Sequence, residues 1–278
     1  VCRTNVPLAD FTWYGIGGPA RWFFTPENEA ELALLLRRCT EHNVAWRILG
    51  HGANLLVRDE GFDGAVIRLI GPHWTRTHID GPSVFAAGGA DFPKLVKATV
   101  EAGLAGLESL AGIPGSVGGI IRMNAGGKWG SVSQFVRRVR LLNPDGRVDE
   151  RTATEMQFAY RHSSVGGAIV LDVWLQLERA EKSALLERFR QIWSENPPPP
   201  PAAPPRACGC VYKTPPQQSA GALIDKAGLK GAICGAAEIS THHANFIIAR
   251  QGARASDVLT LIEQAKSAVR EKFGVELE

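Results

Sequence analysis

A chain of 278 residues, 45% hydrophobic and 21% charged, is long enough to bury a sizeable core and has the composition of a globular protein of one to three domains. No run of about 18 apolar residues offers a membrane span, and the opening VCRTNVPLADFTWYGIGG lacks the basic and apolar regions of a signal peptide. A net charge of +3, with no lysine–arginine block, argues against nucleic acid as a partner. The five cysteines, Cys2, Cys39, Cys208, Cys210 and Cys234, are odd in number and scattered, which favours reduced thiols over a disulfide framework. No cysteine or histidine spacing suits a metal site.

In chain order, Glu27 to His42 carries Leu32, Leu34, Leu35, Leu36 and Cys39 on an apolar face and is predicted helical. Ala45 to Leu49 reads as a strand, Gly50 to Asn54 as a glycine-rich turn, and Leu55 to Val57 as a second strand, so a hairpin or crossover is expected. The N–H groups of such a turn can form an anion-binding nest. Ala65 to Leu69 and Val84 to Ala87 are predicted strands, and Phe92 to Ala102 a helix that Gly103 stops. Phe135 to Leu142 and Arg147 to Thr152 form strands joined by the turn Asn143-Pro-Asp-Gly146. Glu155 to Arg161 is predicted as a turn of helix running into a loop, and Ala168 to Leu177 as a strand. Helices are expected over Lys182 to Trp193, Ser219 to Ala227 and Ser256 to Phe273, with a strand over Asn245 to Ala249. Five successive prolines, Pro197 to Pro201, predict a stiff linker and a domain boundary. The mixture of helices with hairpin-like strand pairs argues for an α+β fold rather than a doubly wound sheet.

The stretch from Gly106 to Gly130, GLESLAGIPGSVGGIIRMNAGGKWG, packs eight glycines and a proline among apolar residues. Glycine weakens a segment that only has to pack, so this density points to a backbone-lined ligand cleft; the alternative is a set of core turns.

Taken together, these motifs resemble the UDP-N-acetylenolpyruvoylglucosamine reductase family. Thr12 to Ala20 (TWYGIGGPA) is similar to the family's opening glycine motif. Ile48 to Val57 (ILGHGANLLV) resembles its first flavin-phosphate loop, with Ala53 where serine is usual. Gly106 to Gly130 resembles the long GLE-x-LAGIPG-[ST]-VGG…MNAG signature. Phe158 to Arg161, Gly209 to Lys213, Ser219 to Gly231, His243 to Phe246 and Ala255 to Val258 continue the series in order.

The resemblance implies an α+β fold: a two-lobed FAD-binding domain of the vanillyl-alcohol-oxidase type followed by a smaller substrate domain. The lobes are expected at 1–72 and 73–185, a helix end and proline-rich linker at 186–206, and the substrate domain at 207–278. It further implies a cytoplasmic enzyme in which NADPH reduces FAD and the flavin reduces a UDP-sugar enolpyruvate. Flavin contacts fall on Gly50, His51, Gly52, Ala53, Asn54, Leu55, Gly88, Ala111, Gly112, Pro114, Gly115, Ser116, Gly118, Gly119, Asn124 and Gly126. Substrate contacts fall on Tyr160, Lys213 and Asn245, and the catalytic pair is Arg161 and Cys210. Hydride addition to the enolpyruvyl β-carbon leaves negative charge that a cation must stabilise and an α-carbon that an acid must protonate. Arg161 stands at the first position and Cys210 at the second, where many relatives carry serine. A thiol of ordinary pKa, near 8.5, is largely protonated at neutral pH and is a better acid than an alcohol.

His162, Thr214 and His242 depart from the family's usual Asp, Asn and Lys, and these departures bear on substrate affinity more than on flavin binding. Gly274 to Glu278 enters the motif in which the family places a third catalytic group, a glutamate two positions beyond Glu278. A flavin-binding relative with weak or no reductase activity is therefore the alternative reading, ahead of a flavin oxidase of the same superfamily.

Overall fold

Five strands build the largest sheet. Val148–Thr152, Val136–Leu142, Ile169–Gln176, Ser83–Ala87 and Thr77–Asp80 lie side by side in that order, each antiparallel to its neighbours. These observations come from a computed structural model that describes residues 1–195, 206–216 and 218–278. The register sets Val139 opposite Val173, and Val173 opposite Ala86. One face therefore carries Val84, Val139, Leu141, Val173 and Leu175 into the core, all at most 2% exposed. Each such valine or leucine contributes about 1.5–3 kcal/mol on burial. The other face carries charge and aromatic rings, with the Arg138 guanidinium 3.9 Å from the centre of the Trp174 ring. At the Asn143–Gly146 turn the Gly146 N–H donates to the Asn143 carbonyl at 2.9 Å.

The helices are α1 (Glu29–Glu41), α2 (Pro72–Thr75), α3 (Phe92–Glu101), α4 (Val117–Arg122), α5 (Lys182–Glu195), α6 (Ala220–Lys226) and α7 (Ala255–Phe273). Asn28 caps α1 by accepting from the Glu31 N–H at 3.0 Å, and Asp91 caps α3 through the Lys94 N–H at 2.9 Å. Helix α3 ends before Gly103, whose φ of +72° no longer suits a helix. A four-stranded sheet orders Cys2–Pro7, Pro19–Phe24, Phe62–Ile67 and Trp46–Ile48, and another orders Arg206–Ala207, Ile247–Ala249, Ala237–Ile239 and Ile233–Cys234.

Three expectations change. Leu55 to Val57 is not a strand: Trp46–Ile48 pairs parallel with Phe62–Ile67, with Trp46 opposite Ala65. A parallel pair needs a long crossover, so residues 49–61 are spent as connection and no hairpin forms. Glu155 to Arg161 contains no helix, because Gln157 (φ +44°) and Arg161 (φ +53°) are left-handed and interrupt any helical run. Most of the C-terminal strands went unread because segments of two or three residues are too short to display a period. The proline run lies outside the described residues.

Contacts gather the chain into two units that are discontinuous in sequence. The first takes Val1–Thr4, Trp22–Gly50 and the chain from Gly64 through α5; the second takes Asn5–Arg21, His51–Asp63 and the chain from Arg206 onward. In the first unit, helices α3 and α4 pack on the core built around Leu95, Leu107, Ile121, Val139 and Val173. In the second, Tyr14, Cys208, Tyr212, Ile224, Val258 and Leu261 share one core.

The first unit also buries a charged cluster. The Asp172 carboxylate, 2% exposed, accepts from Arg76 at 2.9 Å and from Arg140, which also donates to Glu29 at 2.8 Å. Removing one member of a buried pair leaves its partners uncompensated, at a cost of about 3 kcal/mol. Asp172→Ala is expected to lower the urea midpoint accordingly, and an unshifted midpoint would contradict the cluster's structural role.

Candidate active site

Two glycine-rich segments far apart in sequence meet in the first unit. A Cβ on Gly50 would overlap the Ser116 hydroxyl, so the start of the 50–54 loop lies against Ser116. Gly88 is fixed on both sides: its N–H donates to the Leu171 carbonyl at 2.7 Å, and its carbonyl accepts from the Gly118 N–H at 2.7 Å. A Cβ on Gly88 would overlap the Val170 carbonyl oxygen, and one on Gly118 would stand 3.0 Å from the Gly88 oxygen. These two glycines therefore allow α4 to approach the sheet backbone directly, which offsets the roughly 1 kcal/mol that Gly118 costs inside the helix. Ala111 and Pro114 belong to the connection into α4, where Gly112 (φ +85°) and Gly115 (φ +140°) adopt conformations that only glycine takes readily. Among the described residues, the N–H groups of Gly50, Gly112, Gly115, Ser116 and Gly119 donate to no acceptor of the chain.

The same unit gathers Asn124, Gly126, Tyr160 and Arg161. Asn124 is 5% exposed and works with both ends of its amide: Nδ2 donates to the Ala159 carbonyl at 2.8 Å, and Oδ1 accepts from the Ser133 N–H at 3.3 Å. That holds the loop carrying Arg161, whose guanidinium donates to the Gly126 carbonyl and lies 5.0 Å from the centre of the Tyr160 ring. Arg161 is one of five non-glycine residues at positive φ among the described residues, a conformation kept only where surroundings enforce it.

In the second unit, residues 51–55 lie against the N-terminal segment. Gly52 sits at φ +64°, a Cβ there would overlap the Phe11 carbonyl, and its own carbonyl accepts from the Trp13 N–H at 3.0 Å. The N–H groups of Gly52, Ala53 and Asn54 have no acceptor among the described residues. His51 is half-buried and Ala53 buried. The Cys208 thiol lies 3.7 Å from the Leu55 carbonyl and 4.0 Å from that of Gly52. Burial pushes its pKa up to about 11, so it stays a neutral thiol at physiological pH.

Two residues on, Cys210 is exposed. Asn245, 3% exposed, pins the segment that follows: its Oδ1 accepts from the Tyr212 N–H and its Nδ2 donates to the Tyr212 carbonyl, both at 2.9 Å. The Asn245 carbonyl also accepts from the Val211 N–H at 2.9 Å. Lys213 pairs with the Glu278 carboxylate, and its N–H donates to the Glu278 main-chain oxygen at 2.8 Å. Sequence reasoning missed Cys208 as a support of the loop, and Phe11 and Trp13 as its backbone partners; the TWYGIGG motif was the available signal.

A family model for the C-terminal domain of UDP-N-acetylenolpyruvoylglucosamine reductase matches residues 200–278, and one for an FAD-binding domain matches residues 20–150. The chain is similar to the UDP-N-acetylenolpyruvoylglucosamine reductase of Heliobacterium modesticaldum, 41% identical over 98% of this chain and 87% of that protein. It is 36% identical to the Bacillus subtilis enzyme of the same name over 98% of this chain and 90% of that protein. The crystal structure of the Thermus caldophilus enzyme superposes with a TM-score of 0.85 at 40% identity, covering 100% of this chain and 98% of that one.

Two glycines separate the close-packed backbone from the open. Gly88→Ala is expected to lower the melting temperature by several degrees, since its Cβ must displace main chain. Gly127→Ala, where a Cβ would meet nothing within 4 Å, should leave it within about one degree. Equal melting shifts in the two variants would rule out the Gly88–Val170 approach.

Proposed function

This chain belongs to the UDP-N-acetylenolpyruvoylglucosamine reductase family, and on that premise we propose how its residues divide the work. The activity is the NADPH-dependent reduction of UDP-N-acetylglucosamine enolpyruvate to UDP-N-acetylmuramate, a step of peptidoglycan precursor synthesis, with FAD as the cofactor. The observation that carries the assignment of the cofactor site is a set of main-chain N–H groups in two glycine-rich segments, those of Gly50, Gly52, Ala53 and Asn54 and those of Gly112, Gly115, Ser116 and Gly119, that have no acceptor among the described residues. Main-chain N–H groups left open in glycine-rich turns form nests for anions, so each segment by itself offers donors suited to the phosphates of a flavin dinucleotide. Gly50, Gly52, Ala53, Asn54, Leu55, Gly112, Gly115, Ser116 and Gly119 are assigned to that contact. Gly88 and Gly118 are assigned to close packing beneath it, and Asn124 and Gly126 to holding the Arg161 loop. His51, Ala111 and Pro114 complete the lining. The cofactor lobes are placed at 1–72 and 73–185, joined through 186–206 to a substrate domain at 207–278, in a cytoplasmic enzyme.

When bound, FAD reduced by NADPH supplies the hydride that adds to the enolpyruvyl β-carbon. Arg161 stabilises the negative charge that develops on the α-carbon and carboxylate, and its hydrogen bond to Gly126 with its neighbour Tyr160 sets where that cation stands. Cys210 gives its Sγ–H proton to the α-carbon, and its exposure lets water restore the proton. Lys213 meets a substrate phosphate or carboxylate, exchanging its present Glu278 partner for the ligand anion. Asn245 acts through Tyr212, fixing the register of the segment that carries both Cys210 and Lys213.

Replacing Cys210 with alanine is expected to leave flavin bleaching by NADPH intact while abolishing reoxidation by the enolpyruvyl substrate; survival of both half-reactions would refute the acid role. Arg161→Ala should reduce turnover by about 10²–10³-fold, the usual loss on removing a charge-stabilising donor. A turnover number that changes less than threefold would place Arg161 outside the reaction.

A further inference from the structure

Residues 51–59 belong to the second unit, although 49–61 form the crossover between two parallel strands, and side chains from the far end of the chain hold them there. At the loop's end, the Asp59 carboxylate straddles the start of α7. Its Oδ1 accepts from the Ala255 N–H at 2.7 Å, its Oδ2 from the Ser256 N–H at 3.0 Å, and the Arg254 Nε stands 3.6 Å away. Arg254, the residue before α7, has no side-chain acceptor with which to cap its own helix. The other nearby carboxylate, Asp257, accepts from the Arg254 N–H at 3.0 Å and from the Ala236 N–H at 3.4 Å. Asp59 thus supplies from a distant loop the cap that a 19-residue helix lacks locally. Burial works against its charge, but hydrogen bonds from Ser256 and Ala255 and the Arg254 cation outweigh it and hold the carboxyl below its usual range. The clamp is therefore ionised at neutral pH.

Between Asp59 and Gly52 the loop has further anchors in the same unit. The Arg58 carbonyl accepts from the Gly18 N–H at 2.8 Å and the Gly61 N–H at 3.0 Å, and Leu56 packs against the core that contains Val258 and Leu261 of α7. The open N–H groups of 52–54 are thereby held by a loop that the Asp59 carboxylate tethers to α7. We propose that Asp59 is a positioning residue for the cofactor loop, coupling affinity for FAD to the N-terminus of α7. This rests on the assignment of residues 52–55 to the flavin phosphates.

The test compares Asp59→Ala with Gln264→Gly, which weakens α7 at an exposed interior position without touching the loop. FAD is titrated into each deflavinated protein and the apoprotein melting temperature is recorded. Both variants are expected to melt earlier, but only Asp59→Ala should raise the dissociation constant of FAD, on the order of tenfold. Asp59→Asn, keeping one acceptor oxygen, should fall between Asp59→Ala and the parent, and it carries the comparison if the alanine variant does not fold. FAD bound equally by the parent and the Asp59 variants would overturn the coupling, as would an equal loss of affinity in the Gln264→Gly protein. Failure of the unsubstituted chain to bind FAD at all would instead remove the functional assignment beneath it.

Discussion

The structure depends on one close approach of main chain to main chain. Gly88 passes a hydrogen bond from the Gly118 N–H to its own carbonyl and another from its N–H to Leu171, each at 2.7 Å, with no side chain between them. This contact seats α4 against the central sheet, and just before the helix the N–H groups of Gly112, Gly115 and Ser116 have no acceptor among the described residues. Unpaired main-chain donors are costly when desolvated, and a chain keeps them where a ligand or water will accept. Close packing at Gly88 and Gly118 and open donors at Gly112 and Gly115 both follow from absent Cβ atoms. The glycines split accordingly, some at the approach itself and others at turns that leave donors open.

A second theme is that side chains with striking motif positions act through the backbone. Asn124 and Asn245 each use both ends of a buried amide on main-chain groups of a neighbouring segment. The segments so held carry Arg161 in one unit and Cys210 with Lys213 in the other. Each fixed segment thus presents a flexible or reactive side chain from a rigid base, the arrangement on which preorganised catalysis relies. The two thiols of the Cys208-Gly-Cys210 sequence divide in the same spirit. Cys208 is buried, raised in pKa and set against loop carbonyls, whereas Cys210 is exposed.

Much of the architecture was legible in the residues. The helical patterns of α1, α3, α5 and α7 and the strand-like apolar residues over Val136–Leu142 and Ile169–Gln176 identified the elements that build the cores. The Asn143–Gly146 turn and the stop at Gly103 were readable because their residues have conformational preferences that neighbours do not override. The family was legible too, through motifs spread in order along nearly the whole chain. Local preference is a property of a few adjacent residues, so a sequence states it directly.

Partnership is not local, and only the tertiary structure decided it. Leu55 to Val57 has strand-like residues but no strand, because the parallel pairing of its flanks turned it into a crossover. The left-handed φ of Arg161 is set by surroundings that include Asn124 and Gly126, not by its own preference, which is against it. Nor could the residues alone reveal that Asp59 caps a helix 196 positions away or that Cys208 supports the 52–55 loop. A hydrogen bond across such a separation depends on where two backbones come to rest, and that is fixed by the packing of everything between them.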